Sequence, residues 1–227
     1  MITSPNNQLL KDIRKLNARR AKGRFVAEGE DLLVAAHDAG WPPVHVLRAG
    51  IDVEPELLAK VSALGSGSRV LGVFDERWAR PTGPLCVALW GIRDPGNVGT
   101  VLRSALAFGA ASVAIGPQTA DPYGPKAVRA SMGAIFQVPV ARVRDIRDLP
   151  GTTVALAARE GAALDRAELT EPLTLVVGSE REGLPPDVLA ACDTAAHIPI
   201  HSESLNAAMA ATVALYELSR TSTHRVP

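Results

Sequence analysis

LCVALWGIRDPGNVGTVLRSALAFGAASVAIG, residues 85–116, decides the fold. LCVALWGI (85–92) is a short apolar run of the kind that fills a strand buried on both faces. Asp94, Pro95 and Gly96 then make a tight turn, and Asn97 reads as the N-cap of a helix over 97–108 that Gly109 closes. ASVAIG returns as the next strand. Apolar strand, covering helix and apolar strand form a βαβ unit, and the pattern continues downstream. Strands are expected at FQVPVARV, TTVALAA, LTLVVG and AAHIPI, with helices over 124–132, 185–191 and 204–220. The sequence therefore predicts an α/β fold with a mostly parallel sheet covered on both faces. Ligands in such sheets bind beyond the carboxyl ends of the strands. Three loops leaving strands become informative: 93–99, 178–184 and 200–206.

Upstream, ARPTGPL, with Pro81, Gly83 and Pro84, breaks helix and strand alike and places a boundary between residues 1–80 and 81–227. The first unit reads as small α/β: helices over Glu30–Ala39 and Pro55–Leu64, with extended runs at VHVLRAG and RVLGVF. Its N-terminus is basic. Leu9, Leu10, Ile13 and Leu16 recur at helical spacing, surrounded by Lys11, Arg14, Lys15, Arg19, Arg20, Lys22 and Arg24 with one acid, Asp12. Residues 1–24 thus carry +6, and because Lys+Arg and Asp+Glu are both 24 the remainder carries −6. Such a run is either a solvated helix face or a phosphate-contacting arm. The neutral total excludes only binding of nucleic acid by bulk charge.

Composition excludes several other classes. Hydrophobic residues are 47% and charged residues 21%, which is incompatible with wholesale disorder. Cys86 and Cys192 stand alone, so neither a disulfide framework nor a metal site is expected, and both read as small buried apolar residues. No apolar run reaches the roughly 18 residues of a membrane span, and MITSPNNQLLKDIRKLNARR has no signal-peptide core, so a soluble cytoplasmic protein is expected, with no membrane partner.

In the first loop, Asn97 and the glycines have ready structural roles, but Arg103 sits beside an expected apolar stripe of Leu102, Ala105 and Leu106 and needs a partner. In the second, the strand LTLVV runs into Gly178, which allows close approach of a ligand to the backbone, and Glu180 lies just past the strand end. Ser179 and Arg181 read as solvated, and Pro185-Pro186 opens the next helix. In the third, Ser204 reads as an N-cap. Leu205, Ala208, Met209, Thr212, Leu215 and Tyr216 form a helical stripe for a core or a dimer face. Asn206 has poor helix propensity, which hints at a side-chain role, and His201 is either a base or simply exposed. No G-x-G-x-x-G or G-x-x-x-x-G-K-[ST] is present. Triad, metal-cluster and paired-carboxylate chemistry lack their parts. Amides, hydroxyls, one Arg and one Glu at three strand ends suit a polar cofactor without a triphosphate.

Taken together, RDPGNVGTVLRSALAFGA, LVVGSEREGLP and IPIHSESLNAAMAATVALYE resemble the three signature motifs of the SpoU (TrmH-like) branch of the SPOUT methyltransferases, over about 85–220. KAVRASMGAIF (126–136) resembles the segment between them. FVAEGEDLLVAAHDAG (25–40) resembles the opening of the ribosomal-protein-like RNA-binding domain that many members carry. The resemblance implies S-adenosylmethionine-dependent methylation of a ribose 2′-hydroxyl in structured RNA. It also implies a C-terminal deep trefoil knot and a homodimer with its site near the subunit interface. By matching motif position, Asn97, Arg103, Glu180, Ser204 and Asn206 are the catalytic candidates, and Gly178, Ile198 and Leu205 hold the cofactor. The RNA contacts expected are Lys11, Arg14, Arg19, Arg20, Lys126 and Arg129. Large-subunit (23S) rRNA is favoured over tRNA by the N-terminal domain. A non-catalytic RNA-binding module and a base methylase on the same scaffold are the rival readings. IHSE (200–203) is about two residues shorter than the Gly-containing insertion many members have, which bears on the shape of the cofactor loop.

Overall fold

Leucine and isoleucine three residues apart fix the first element. Helix α1 (Gln8–Asn17) is capped by Asn7, whose side chain accepts from the Leu9 amide, and it buries Leu10, Ile13 and Leu16. A computed structural model describes residues 1–63, 67–202 and 204–221 of the chain. Strand β1 (Arg24–Glu28), helix α2 (Glu30–Asp38), strand β2 (His45–Arg48), helix α3 (Pro55–Val61) and strand β3 (Val70–Asp75) complete the N-terminal unit. Its three strands form an antiparallel sheet in the order β1-β3-β2, with Val26 opposite Val73 and Val46 opposite Gly72. Helices α1 and α3 bury their leucines with Val26, Leu71 and Val73 on one face. Strand β1 was not expected from the sequence. Helix α3 ends at Val61, where Ser62 turns extended; Leu64, the expected end, lies outside the described residues.

Beyond Pro84 the expected alternation appears, with one short strand, β8, that was not expected: β4 (Leu85–Leu89), α4 (Pro95–Ala107), β5 (Ser112–Ile115), α5 (Pro125–Ala130), β6 (Val140–Arg142), β7 (Thr152–Leu156), β8 (Ala162–Ala163), β9 (Leu173–Val177), α6 (Pro186–Ala191), β10 (Thr194–His197) and α7 (Ala207–Thr221). The seven strands run parallel in the order β6-β5-β4-β9-β7-β10-β8. The period-2 alternation along β4 sends Leu85, Val87 and Leu89 to one core and Cys86 and Ala88 to the other. Helices α4 and α7 cover the first, and α6, through Val188, covers the second. Cys86 is buried and Cys192 half-buried, both as free thiols. No helix is long and apolar enough to cross a membrane among the described residues. Because β9 inserts between β4 and β7, the loops leaving β4 and β9 emerge side by side at the carboxyl end of the sheet, where a ligand crevice opens.

The two sheets share one core. Phe25 and Phe74 of the small sheet and Trp41 after α2 pack on Tyr123 and Phe136 of the larger unit, at ring separations of 4.8 to 5.8 Å. Arg19 crosses the same seam. Its side chain is 15% exposed and donates to Asp121 Oδ2 and Glu76 Oε1, each at 2.7 Å from Nη2. Arg19, expected among the RNA contacts, thus has its guanidinium committed to two carboxylates inside the protein. Burial pushes the Asp121 carboxyl up, but hydrogen bonds from Lys22 and Arg19 outweigh it and hold the group below its usual range. A depressed carboxylate contributes stability above its unfolded value, about 3.9, and loses it as pH falls through the folded value. Asp121→Asn is therefore expected to lower stability by about 1–3 kcal/mol at pH 7. In urea titrations the gap to wild type closes as the pH drops below that carboxylate range. An unchanged gap at low pH would assign the loss to packing instead.

Candidate functional site

Three strand-end loops meet through one carboxylate. Leaving β4, Asp94 caps α4 by accepting from the Gly96 amide at 2.6 Å, with Pro95 in the first turn. Asn97 is therefore inside the helix and is not its cap, which corrects the sequence reading. Its amide Nδ2 donates to Glu180 Oε1 at 2.5 Å. Lys126 pairs with Asp94 at 3.1 Å and, with the Gly96 amide, holds that carboxyl below its usual range.

Leaving β9, the chain reverses within six residues. Ser179 and Gly183 exchange backbone hydrogen bonds at 3.0 Å in both directions. A Cβ on Gly178 would lie 2.3 Å from the Gly183 carbonyl carbon. Gly178 is thus required by its own loop folding back on it. The reversal carries Glu180 towards the other two loops.

Leaving β10, the chain reaches α7, whose first amides need acceptors. Asn206 supplies them: its Oδ1 accepts from Ala208 N at 3.0 Å and Met209 N at 3.2 Å. Ser204, expected as the cap, stands exposed two residues earlier. The other half of the Asn206 amide donates to Glu180 Oε1 at 2.5 Å and to Asn97 Oδ1 at 3.2 Å. Asn97, Glu180 and Asn206 form a closed triangle. Each amide donates to the same Glu180 oxygen, which fixes the carboxylate and ties the ends of β4, β9 and β10 together.

Beside the triangle lies a cleft of about 600 Å³. Gly178, Glu180, Ile198, Ser204 and Leu205, all expected site residues, line it. Leu156–Ala158 after β7 and Arg181 also line it and were missed by sequence reading. The strand-end rule that selected three loops applies equally to the loop after β7. Glu203 of the shortened 200–203 loop lies outside the described residues.

Arg103 does not join this group. It is exposed on α4, whose buried stripe is Val98, Val101, Leu102 and Ala105. Leu106, expected in that stripe, is 39% exposed. The expected α7 stripe splits likewise: Ala208 and Leu215 are buried, but Met209 and Tyr216 are 63% and 51% exposed. Helix α7 packs on α4 through Ser104 and Thr212, whose hydroxyls are 2.6 Å apart, and Tyr216 packs on Phe108. The two packed helices thus leave Leu106, Met209, Val213 and Tyr216 exposed, and α4 also carries Arg103. Lys11 and Arg20 are exposed on the N-terminal unit, as are Lys126 and Arg129 on α5, and Arg14 is half-buried. His201 is exposed beside a neighbouring hollow that also holds His197 and Arg159.

Residues 84–216 match the SpoU rRNA methylase family. Along nearly its whole length the chain is similar to the 23S rRNA (guanosine(2553)-2′-O)-methyltransferase RlmP of Bacillus subtilis, 28% identical over 249 residues, covering 96% of this chain and 98% of that one. Several curated relatives at about 40% identity match over 145 residues, and the chain spans 45% of their length. Among solved structures, the AdoMet-bound rRNA methyltransferase of Sinorhizobium meliloti superposes with a TM-score of 0.87 at 29% identity, over 97% of each chain. The AdoMet complex of the SpoU methyltransferase AviRb from Streptomyces viridochromogenes gives 0.83 at 27% identity, over 95% of this chain and 98% of that one.

Proposed function

Because the chain belongs to the SpoU rRNA methylase family, we propose how its residues divide the work of methylating a ribose 2′-hydroxyl. It is an S-adenosylmethionine-dependent rRNA methyltransferase. The observation that carries the assignment of the site is the Asn97–Glu180–Asn206 triangle on the rim of the 600 Å³ cleft. The cleft suits the cofactor. Its volume is that of a small-molecule site, Leu156, Val177, Leu184, Ile198 and Leu205 offer apolar walls, and Glu180 and Glu182 offer carboxylates to a cationic sulfonium. S-adenosylmethionine bound there supplies an electrophilic methyl group.

The remaining difficulty is the acceptor, since a ribose hydroxyl is a weak nucleophile whose proton must leave as the bond forms. Asn97 and Asn206 hold Glu180 Oε1, leaving Oε2 to meet the substrate. Ser204 adds a hydroxyl on the cleft wall. Arg103 acts by binding the phosphate next to the target ribose. A guanidinium stays protonated under ordinary conditions, so its contribution is positioning and charge stabilisation rather than proton abstraction.

Arg103 does not line its own chain's cleft, and it stands one turn before exposed Leu106 on α4, the helix on which α7 packs with Met209, Val213 and Tyr216 exposed. A second copy docked on that face would bring Arg103 to the partner's site. A homodimer, with the C-terminal segment threaded as the family's trefoil knot, is the assembly we propose.

Residues 1–80 are assigned as the RNA-recognition unit and 81–227 as the catalytic unit, with 23S rRNA as substrate. Lys11, Arg14, Arg20, Lys126 and Arg129 contact phosphates; Arg19 is withdrawn from that set. Deleting residues 1–20 is a poor test, because Leu10, Ile13 and Leu16 are core. Replacing Lys11, Arg14 and Arg20 together with Gln keeps the helix. The triple variant is expected to reduce the slope of log affinity against log salt by about 2 to 3, with S-adenosylmethionine affinity unchanged. An unchanged slope removes the N-terminal unit from the RNA interface.

The function itself is tested by incubating the protein with S-adenosylmethionine and unmodified rRNA transcripts, then mapping products by mass. A 2′-O-methylribose supports the reading. A methylated base, methylation confined to tRNA, or no product overturns it.

A further inference from the structure

Beside the cofactor cleft, sharing its Ser179–Glu182 wall, lies a second groove. A hollow of about 300 Å³ opens between Gly91–Asp94, Asn97 and the Ser179–Glu182 loop, which it shares with the cofactor cleft. It runs into another of about 340 Å³ bounded by Trp90, Pro117, Gln118 and Pro185. Gly91, Arg93, Ser179 and Glu182 belong to both hollows, so they form one groove that starts at the triangle and ends at Gln118.

Its far end is braced. The Gly91 amide donates to Pro117 O at 3.1 Å, and Thr119 Oγ1 donates to Leu89 O at 2.9 Å, tying the turn after β5 to the exit of β4. The Trp90 ring lies so close to Gly116 that a Cβ there would meet it at 2.3 Å. Gln118 is held in the left-handed region at φ 58°, which a non-glycine residue rarely adopts without external support. Its amide oxygen faces Arg93 Nη2 at 3.4 Å. That orientation follows from chemistry, since a guanidinium has no acceptor and the amide must turn its oxygen towards it. Both side chains are exposed, and apart from one lone pair left on Gln118 Oε1 they offer a ligand donors: the Gln118 NH₂ and the other Arg93 N–H groups.

We propose that this groove holds the nucleobase of the methylated nucleotide and that Arg93 and Gln118 read its edge, selecting a base that presents oxygen acceptors. Guanine offers O6 and N7, and uracil offers its carbonyl oxygens, to a donor-rich pair. Adenine and cytosine place an exocyclic amine where the pair mostly presents N–H, leaving donors unmatched once the base covers them. A site built to bond one polar pattern rejects the analogue that lacks it far more strongly than an apolar pocket rejects a change of size. The groove begins at the triangle where the ribose is assigned, so base and sugar of one nucleotide would occupy adjoining parts of it. The proposal rests on the ribose-methylation reading.

The test uses 23S rRNA transcripts carrying each of the four bases at the mapped target position. Wild-type kcat/KM is expected to favour G or U over A and C by about 10-fold or more. Arg93→Ala combined with Gln118→Ala levels the four within about threefold, because each specific base contact carries about 10- to 100-fold of the discrimination. Gln118→Glu, which replaces the donor by an acceptor, shifts preference towards A or C. S-adenosylmethionine affinity, measured by calorimetry, stays at the wild-type value in all variants, since neither residue lines the cofactor cleft. A wild type that prefers A or C, or variants that keep its full discrimination, overturns the proposal alone. A wild type that methylates none of the transcripts overturns the ribose-methylation reading and this proposal with it.

Discussion

Arg103→Ala is expected to lower methyl transfer to rRNA by about 10²- to 10³-fold, the range for losing a positioned cationic group at the reacting centre. Affinity for S-adenosylmethionine should be unchanged, because Arg103 does not line the cofactor cleft. Stability should change little as well, since the side chain is exposed and α4 is held by Val98, Val101, Leu102 and Ala105. An exposed arginine with no structural duty and a large kinetic effect is the signature of a substrate contact. The same variant reveals which site it serves. A heterodimer of Arg103→Ala with Glu180→Ala, co-expressed with two tags and purified through both, contains one intact set of residues if Arg103 reaches across the interface. It should then recover about half of the wild-type activity per dimer, one site of two. If Arg103 serves its own chain, both sites are broken and the heterodimer stays as low as either parent. Tyr216→Glu, placing a charge on the exposed apolar face beside Phe108, should give monomers by light scattering and the same loss of transfer. A fully active Arg103→Ala protein would end the assignment.

The parallel sheet was legible in the sequence because most of its strands are nearly continuous apolar runs of three to five residues punctuated by Gly and Pro, a pattern local to each segment; β8, at two residues, is too short to carry it. Strand β1 escaped because Phe25–Glu28 is a short buried run followed directly by the α2 helix; nothing within it alternates. The cap of α4 could have been read correctly. Asp94 followed by Pro95 is itself an N-cap and first-turn signature, and it outranks Asn97 three residues later. The choice between Ser204 and Asn206 is different in kind. Both can cap a helix, and what distinguishes them is Glu180, 26 residues away in sequence, bonding the Asn206 amide. Arg19 shows the same limit. In a run of seven basic residues it looks like one more phosphate contact, and only the fold reveals Asp121, 102 residues distant, as its partner. Local pattern predicted which loops matter; non-local pairing decided which side chains are free to act in them.

Gly178→Ala should abolish cofactor binding without unfolding the protein. The added methyl would sit 2.3 Å from the Gly183 carbonyl carbon and 2.5 Å from the Leu184 nitrogen. These are backbone atoms, so no rotamer change relieves the clash, and the 179–183 reversal has to open by about 1 Å or more to reach ordinary contact. That movement breaks the paired Ser179–Gly183 hydrogen bonds and withdraws Glu180 from Asn97 and Asn206 together. The cofactor cleft loses its shape because residues 178–184 form one wall of it. A displacement of about 1 Å at a site of this kind costs on the order of 10²-fold, so S-adenosylmethionine affinity by calorimetry should fall by at least that factor. Core strand β9 ends at Val177, before the substitution, so the thermal midpoint should drop by only a few degrees. Glu180→Gln provides the contrast. It keeps the loop closed but removes the charge and leaves one amide of the triangle facing another donor or a weaker acceptor. It should therefore depress transfer more than cofactor affinity. If Gly178→Ala binds S-adenosylmethionine normally, the reversal is not what shapes the site, and the cleft has to be sought at another strand end.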